Sequence, residues 1–155
     1  MGMYTEFGYK ATLKADVPND IIHALAVIAL SSEKSHLPES VRHATLFNLD
    51  SGGWSMMLQG CTNDKSWMSH EGGKTILHGS TNLKNYEKEI EHFIHWIYPY
   101  VEKWEDVYIK YEEYDKAHEV TQDELDVLAK LEPSEIDWLP AGEDSEDEHC
   151  SLCGK

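Results

Sequence analysis

The chain reads as an α+β domain: a mainly antiparallel sheet of about five strands with two helices on one face. Three observations predict it. The chain opens on a segment of strict apolar–polar alternation, two helical segments of different amphipathicity lie among strand-like segments, and 41% of the 155 residues are hydrophobic, with five Trp. A chain of this length buries roughly two-thirds of its unfolded surface around one core. A single domain over residues 1–140 is therefore expected, in the order β-α-β-β-β-α-β followed by a short helix, with an acidic, disordered tail over residues 141–155.

Residues 4–14 place Phe7, Tyr9, Ala11 and Leu13 on one face and Glu6, Gly8, Lys10 and Thr12 on the other, the period of a half-buried strand. Asp16 then serves as an N-cap and Pro18 as a first-turn residue. The helix that follows carries Ile21, Ile22, Leu25, Val27, Ile28 and Leu30 almost all round, so it must be covered on most sides. The C-terminal elements of the same chain are the expected cover, and a homo-oligomer interface is the alternative. Two strands are expected over residues 43–49 and 54–60, with the hairpin turn at Asp50-Ser51-Gly52-Gly53. Residues 61–73 read as an exposed loop and residues 74–83 as a further strand. Asn85 caps a helix expected to run to residue 101, with Tyr86, Ile90, Phe93, Ile94, Ile97 and Val101 in one arc and His92 and His95 on the solvated face opposite. A last strand is expected over residues 106–114. Thr121-Gln122-Asp123-Glu124 is a capping box ahead of Leu125, Leu128 and Leu131. Residues 134–139, with Ile136 and Trp138, read as a turn or docking segment.

Charge is regional. Residues 105–155 hold 17 Asp and Glu against four Lys, whereas residues 1–104 hold 12 acids against nine bases. Such a field repels phosphates and anionic membranes and attracts Lys- and Arg-rich surfaces. It argues against direct nucleic-acid binding and for a basic protein as partner. The longest apolar run, residues 21–30, is about half of the roughly 20 residues a bilayer span requires. With no signal-peptide pattern at the start and only Cys61, Cys150 and Cys153, a cytoplasmic location is expected.

Three constellations bear on chemistry. His43-Ala44-Thr45 and His78-Gly79-Ser80 resemble the paired motif of two-histidine phosphoesterases, which implies acid and base histidines with hydroxyls on a phosphate. His149-Cys150-Ser151 is a third match, so the pattern is common in this chain. Cys150 and Cys153 form half of a zinc knuckle, to be completed by His149, Cys61, His36 or His70. The third is the acidic region itself, with Glu112, Glu113, Asp115, Asp123, Glu124 and Asp126 as partner contacts.

The run Gly79-Ser80-Thr81-Asn82-Leu83-Lys84-Asn85-Tyr86-Glu87-Lys88-Glu89-Ile90, continuing through His95-Trp96-Ile97 to Tyr108-Ile109-Lys110-Tyr111-Glu112-Glu113, resembles a stretch of small acidic phage and bacterial proteins with a ferredoxin-like plan. The resemblance implies a bacterial host cell as setting. Small acidic proteins there occupy the basic groove of a nuclease or other nucleic-acid-binding protein, imitating phosphates with spaced carboxylates. A non-enzymatic inhibitor or immunity-type partner of a basic protein, of an anti-defence kind, is thus the leading expectation. A phosphoesterase using His43, Thr45, His78 and Ser80 is the alternative from another class, and a zinc-binding accessory protein is the third.

Overall fold

The alternating opening segment becomes the centre of the sheet. In the computed structural model, which describes residues 4–30, 33–50, 52–57 and 67–142, β1 (Thr5–Leu13) buries Phe7, Tyr9, Ala11 and Leu13. With β2 (Trp67–Glu71), β3 (Lys74–Leu83), β4 (Val101–Tyr111) and β5 (His118–Glu119) it forms one sheet in the order β2-β3-β1-β4-β5, every neighbouring pair antiparallel. α1 (Asn19–Leu30) falls between β1 and β2 in the chain, and α2 (Glu89–Ile97) between β3 and β4. The first four strands thus follow the split β-α-β order. α3 (Gln122–Lys130) follows β5, capped by the expected Thr121–Glu124 box. No helix among the described residues is long and apolar enough to cross a membrane.

The five strands are not all where the sequence places them. The described residues of 43–49 and 54–60 form no hairpin: short 3₁₀ turns occupy Thr45–Asn48 and Gly53–Met56, and residues 58–60 lie outside the described residues. Leu46 and Phe47 are adjacent and both buried. A strand would send them to opposite faces, whereas a tight turn sends both inward. The hairpin lies instead in the segment read as an exposed loop. β2 pairs with β3 out to Glu71 and Lys74 across Gly72 (φ 58°) and Gly73 (φ 81°), the positive angles that a two-residue hairpin turn demands. The observed order is β-α-β-β-α-β-β-α.

Cover for α1 also comes from an unexpected quarter. Leu37, Val41, Leu46, Phe47, Trp54 and Met57, all upstream of the hairpin, join Ile21, Leu25 and Ile28 in the core. The half-buried Ile22, Ala26 and Ala29 are what α1 leaves toward any second subunit. Its first turn is set by the Pro18 carbonyl, which accepts from the Ile21 and Ile22 N–H groups, so the helix begins beyond the position an Asp16 cap would give.

α2 departs from expectation on both ends and on its polar face. The N-cap is Lys88 rather than Asn85, and the helix starts only at Glu89; Asn85 reaches it from upstream, its Oδ1 accepting the Ile90 N–H at 2.8 Å, and Asn85 and Lys88 take φ 56° and 61°. Pro99 sits in a 3₁₀ turn over Tyr98–Tyr100, after which Val101 opens β4, five residues early. Glu89, Glu91 and His92 are buried along with Ile90, Phe93, Ile94 and Ile97. The histidine face is therefore not a solvated one. Residues from α3 and the turn beyond it cover it, and His95 Nε2 donates to the Leu131 carbonyl at 2.7 Å.

Two glycines let aromatic rings cross the sheet. A Cβ on Gly79 would lie 2.0 Å from the Tyr9 ring, and one on Gly8 would lie 2.1 Å from the Tyr108 ring. Tyr9 is enclosed: its ring stacks on Phe7 at 4.8 Å between centroids and meets Phe93 at 5.5 Å and Trp104 at 6.3 Å. Tyr108 lies on the other face, with half-buried Glu6, Lys10, His78 and Ser80. The buried residues of all three helices join the core on the Phe7 face. A bulge in β4 at Asp106 (φ 54°) brings Trp104 to the same face as Val107 and Ile109.

Gly79→Ala is accordingly expected to destabilise by about 1–3 kcal/mol through overpacking, and Gly8→Ala by less, because the Tyr108 ring can swing over an open face. Chemical denaturation of both variants decides it. Equal losses would show the two faces to be equally enclosed.

Candidate functional site

The acidic region is held in place by a buried polar junction at the start of α2. Glu91 has no exposed surface. Its Oε1 accepts from the Asn85 side-chain amide at 3.0 Å and its Oε2 from the Leu139 N–H at 2.9 Å. Trp138 Nε1 donates to the Asn85 carbonyl at 2.9 Å, Ile136 is buried, and the Tyr111 N–H bonds to the Ala141 carbonyl at 2.7 Å. Residues 133–142 are thereby strapped across α2 to the end of β4. Burial pushes the Glu91 carboxyl above the usual carboxylate range, against the pull of the Leu139 N–H, the Asn85 amide and its own backbone N–H.

On this frame the six acids expected to contact a partner fall into two groups. Glu112, Glu124 and Asp126 are engaged within the fold. Glu112 Oε1 accepts the Tyr4 N–H at 2.7 Å while the Glu112 N–H bonds to the Tyr4 carbonyl. Glu124 completes the α3 capping box and lies 2.9 Å from His118 Nε2. Burial raises its carboxyl, but the Thr121 N–H, His118 and the Thr121 hydroxyl outweigh that and hold it below the usual range. Asp126 accepts from the Tyr98 hydroxyl and from Gln122, which hold its carboxyl low against a smaller opposing effect of burial. Glu113, Asp115 and Asp123 are exposed. So is Glu119, on β5. Glu113, Glu119 and Asp123 have no cation within 4 Å among the described residues. These acids lie on the 112–117 loop, β5 and the first turn of α3, which the His118–Glu124 pair ties together.

Beside them runs a groove of about 320 Å³ between α3 and the strap. Val127, Leu128 and Leu131 line one wall, Trp138 and Leu139 the other, and Asp123, Glu124 and Asp137 form its rim. Val127 is 61% exposed and Trp138 55% exposed. Val127 stands off the buried Leu125–Leu128 stripe of an otherwise polar helix, which is the signal in the sequence that α3 has a second apolar edge. Trp138 lies in the segment 134–139 that reads as a turn or docking segment. Nothing in the periodicity points to Glu91.

The histidine motifs do not converge. His43 and Thr45 are exposed and line a cavity of about 390 Å³ with His92, His95 and Trp96, on the helix side of the sheet. His78 alternates with the core residues Leu77 and Gly79, so it occupies the opposite face, where Ser69 Oγ lies 3.2 Å from its Nε2 and Ser80 lies against Tyr108. Burial and Lys10 push His78 below the ordinary imidazole value, with Glu71 opposing. Burial, His95 and Lys88 do the same to His92, with Glu89 opposing. The sheet separates the two halves of the phosphoesterase motif. The zinc candidates His149, Cys150, Cys153 and Cys61 lie outside the described residues, while His36 and His70 are exposed and His70 Nδ1 lies 3.1 Å from Thr75 Oγ1. No group of three or more His, Cys, Asp or Glu among the described residues is placed to hold a metal ion. No family model, curated protein or solved structure matches this chain.

The raised carboxyl of Glu91 gives the strap a pH signature. A carboxyl whose folded-state value lies above its unfolded value contributes stability that is complete at pH below the unfolded value and is lost as pH rises through the folded one. Glu91→Gln has no such titration. The stability of this variant relative to wild type, from denaturant unfolding at several pH values, is expected to improve between about pH 4 and neutrality. A difference independent of pH would show that Glu91 titrates as it does in the unfolded chain.

Proposed function

We propose that this protein is a non-enzymatic binding protein that captures a basic surface, as an inhibitor or immunity-type partner of a nuclease or other nucleic-acid-binding protein. The observation that carries the reading is the set of exposed carboxylates Glu113, Glu119 and Asp123 around the β4–β5 loop and the start of α3, none with a cation within 4 Å among the described residues. Residues 105–142 hold twelve acids against three lysines. Fixed carboxylates on a folded edge present spaced negative charge in the way a phosphate backbone does, and their field steers a cationic partner into contact. The anti-defence setting implied by the resemblance of residues 79–113 accords with a nuclease as the target.

Association with an oligolysine peptide and inhibition of a basic nuclease are expected to weaken steeply as salt rises toward about 1 M, where screening acts within about 3 Å. Glu113→Lys, Glu119→Lys and Asp123→Lys together are expected to abolish both with only a small drop in melting temperature, from reversing the charge of Asp123 in the first turn of α3. Glu112 and Glu124 are left intact in that test, since each bonds to backbone. His43→Ala and His78→Ala are expected to leave capture unchanged. Phosphodiester hydrolysis lost with either histidine, alongside capture indifferent to the three reversals, would overturn the proposal.

A further inference from the structure

We infer that the groove between α3 and the strap receives an amphipathic segment of the basic partner, with apolar side chains against Val127, Leu131 and Trp138 and Lys or Arg side chains against the acidic rim. The inference rests on the function proposed above and adds to it a docking slot and the kind of segment that fits.

Val127 and Trp138 both expose apolar side chains on this one groove, and charge decides among its occupants. A second copy carries the same net charge of −16 and the same acid-rimmed groove, so pairing through this surface would set carboxylates on carboxylates. The run Glu143-Asp144-Ser145-Glu146-Asp147-Glu148 is likewise all acid but for one Ser, a poor match in charge for an acidic rim. A segment with cationic side chains flanking apolar ones meets both features at once. The fold contains a small instance of that chemistry: Lys88 Nζ sits 4.5 Å from the centroid of the Trp138 ring, where the ring quadrupole attracts a cation.

The two components separate with salt. Attraction to the rim is screened by ions, whereas removal of Val127, Leu131 and Trp138 from water is not and is strengthened by many salts. Two peptides of equal net charge serve as probes for the full chain: an amphipathic Leu/Lys helix and an oligolysine. Calorimetry is expected to show the Leu/Lys peptide binding about tenfold tighter or more, with a shallower loss in salt. In ¹⁵N NMR its addition is expected to shift the amides of Val127, Leu131 and Leu139. Val127→Lys, at an exposed position that tolerates Lys in a helix, is expected to reduce the Leu/Lys peptide to the oligolysine level while changing oligolysine binding less than about threefold.

Equal affinities for the two peptides, indifference to Val127→Lys, or shifts confined to residues away from the groove would overturn the docking inference and leave capture by charge standing. Failure of either peptide to bind would overturn the proposed function and the inference with it. A self-associating chain that Val127→Lys renders monomeric in sedimentation would also overturn the inference, because the groove would then be a contact between copies.

Discussion

A carboxylate with no exposed surface is costly to bury unless its oxygens are satisfied, and the C-terminal third of this chain is arranged around meeting that condition. Glu91 receives one donor from Asn85 and one from Leu139. Asn85 in turn starts α2 through Ile90 and accepts the Trp138 indole N–H on its carbonyl. One junction thus fixes where the helix begins, where the strap crosses it and which way Trp138 faces. Breaking it leaves several buried polar groups unpaired at once, and each of those costs about 1–3 kcal/mol.

The sheet solves a different problem. Tyr9 and Tyr108 each lie over a glycine on the neighbouring strand, one inside the core and one on the open face. The inner ring is locked by Phe7, Phe93 and Trp104. The outer ring donates to Glu6, and its phenol is pushed up to about 12 by burial and that carboxylate, with Ser80 opposing. A Tyr held protonated this firmly is a hydrogen-bond donor rather than an acid. The open face therefore carries paired polar side chains, while the exposed apolar side chains Val127 and Trp138 lie elsewhere, on α3 and the strap.

Much of this was legible from residue patterns, and the exceptions have physical causes. The alternation of β1, the extent of β3 and the Thr121 capping box depend on local periodicity and local hydrogen bonds, which the sequence states directly. β2 was hidden because Trp67-Met68-Ser69-His70-Glu71 lacks alternation, and its pairing is imposed by β3 through the Gly72-Gly73 turn. Leu46-Phe47 and Trp54 looked like strand residues because their hydrophobicity was visible, while the fact that adjacent ones share a direction was not. His92 and His95 read as solvated because a polar residue on an amphipathic helix reads as solvent-facing unless a second layer covers it, as the residue after α3 does for His95 through the Leu131 carbonyl. At the site, the regional acidity was evident, but which acids are consumed by the fold depends on partners as distant as Tyr4 for Glu112 and Tyr98 for Asp126.

β4 is eleven residues long, yet β5 pairs with it only at Tyr108 and Ile109. Among the described residues, most of the outer edge of β4 therefore carries no partner strand, the arrangement that in many proteins invites other chains to add themselves and polymerise. Here Glu102, Lys103 and Glu105 punctuate that rim with charge, and the bulge at Asp106 twists it out of line. An incoming strand would have to desolvate those charges and match a broken ladder. The irregularity that turns Trp104 inward thus also breaks the ladder that an added strand would have to match.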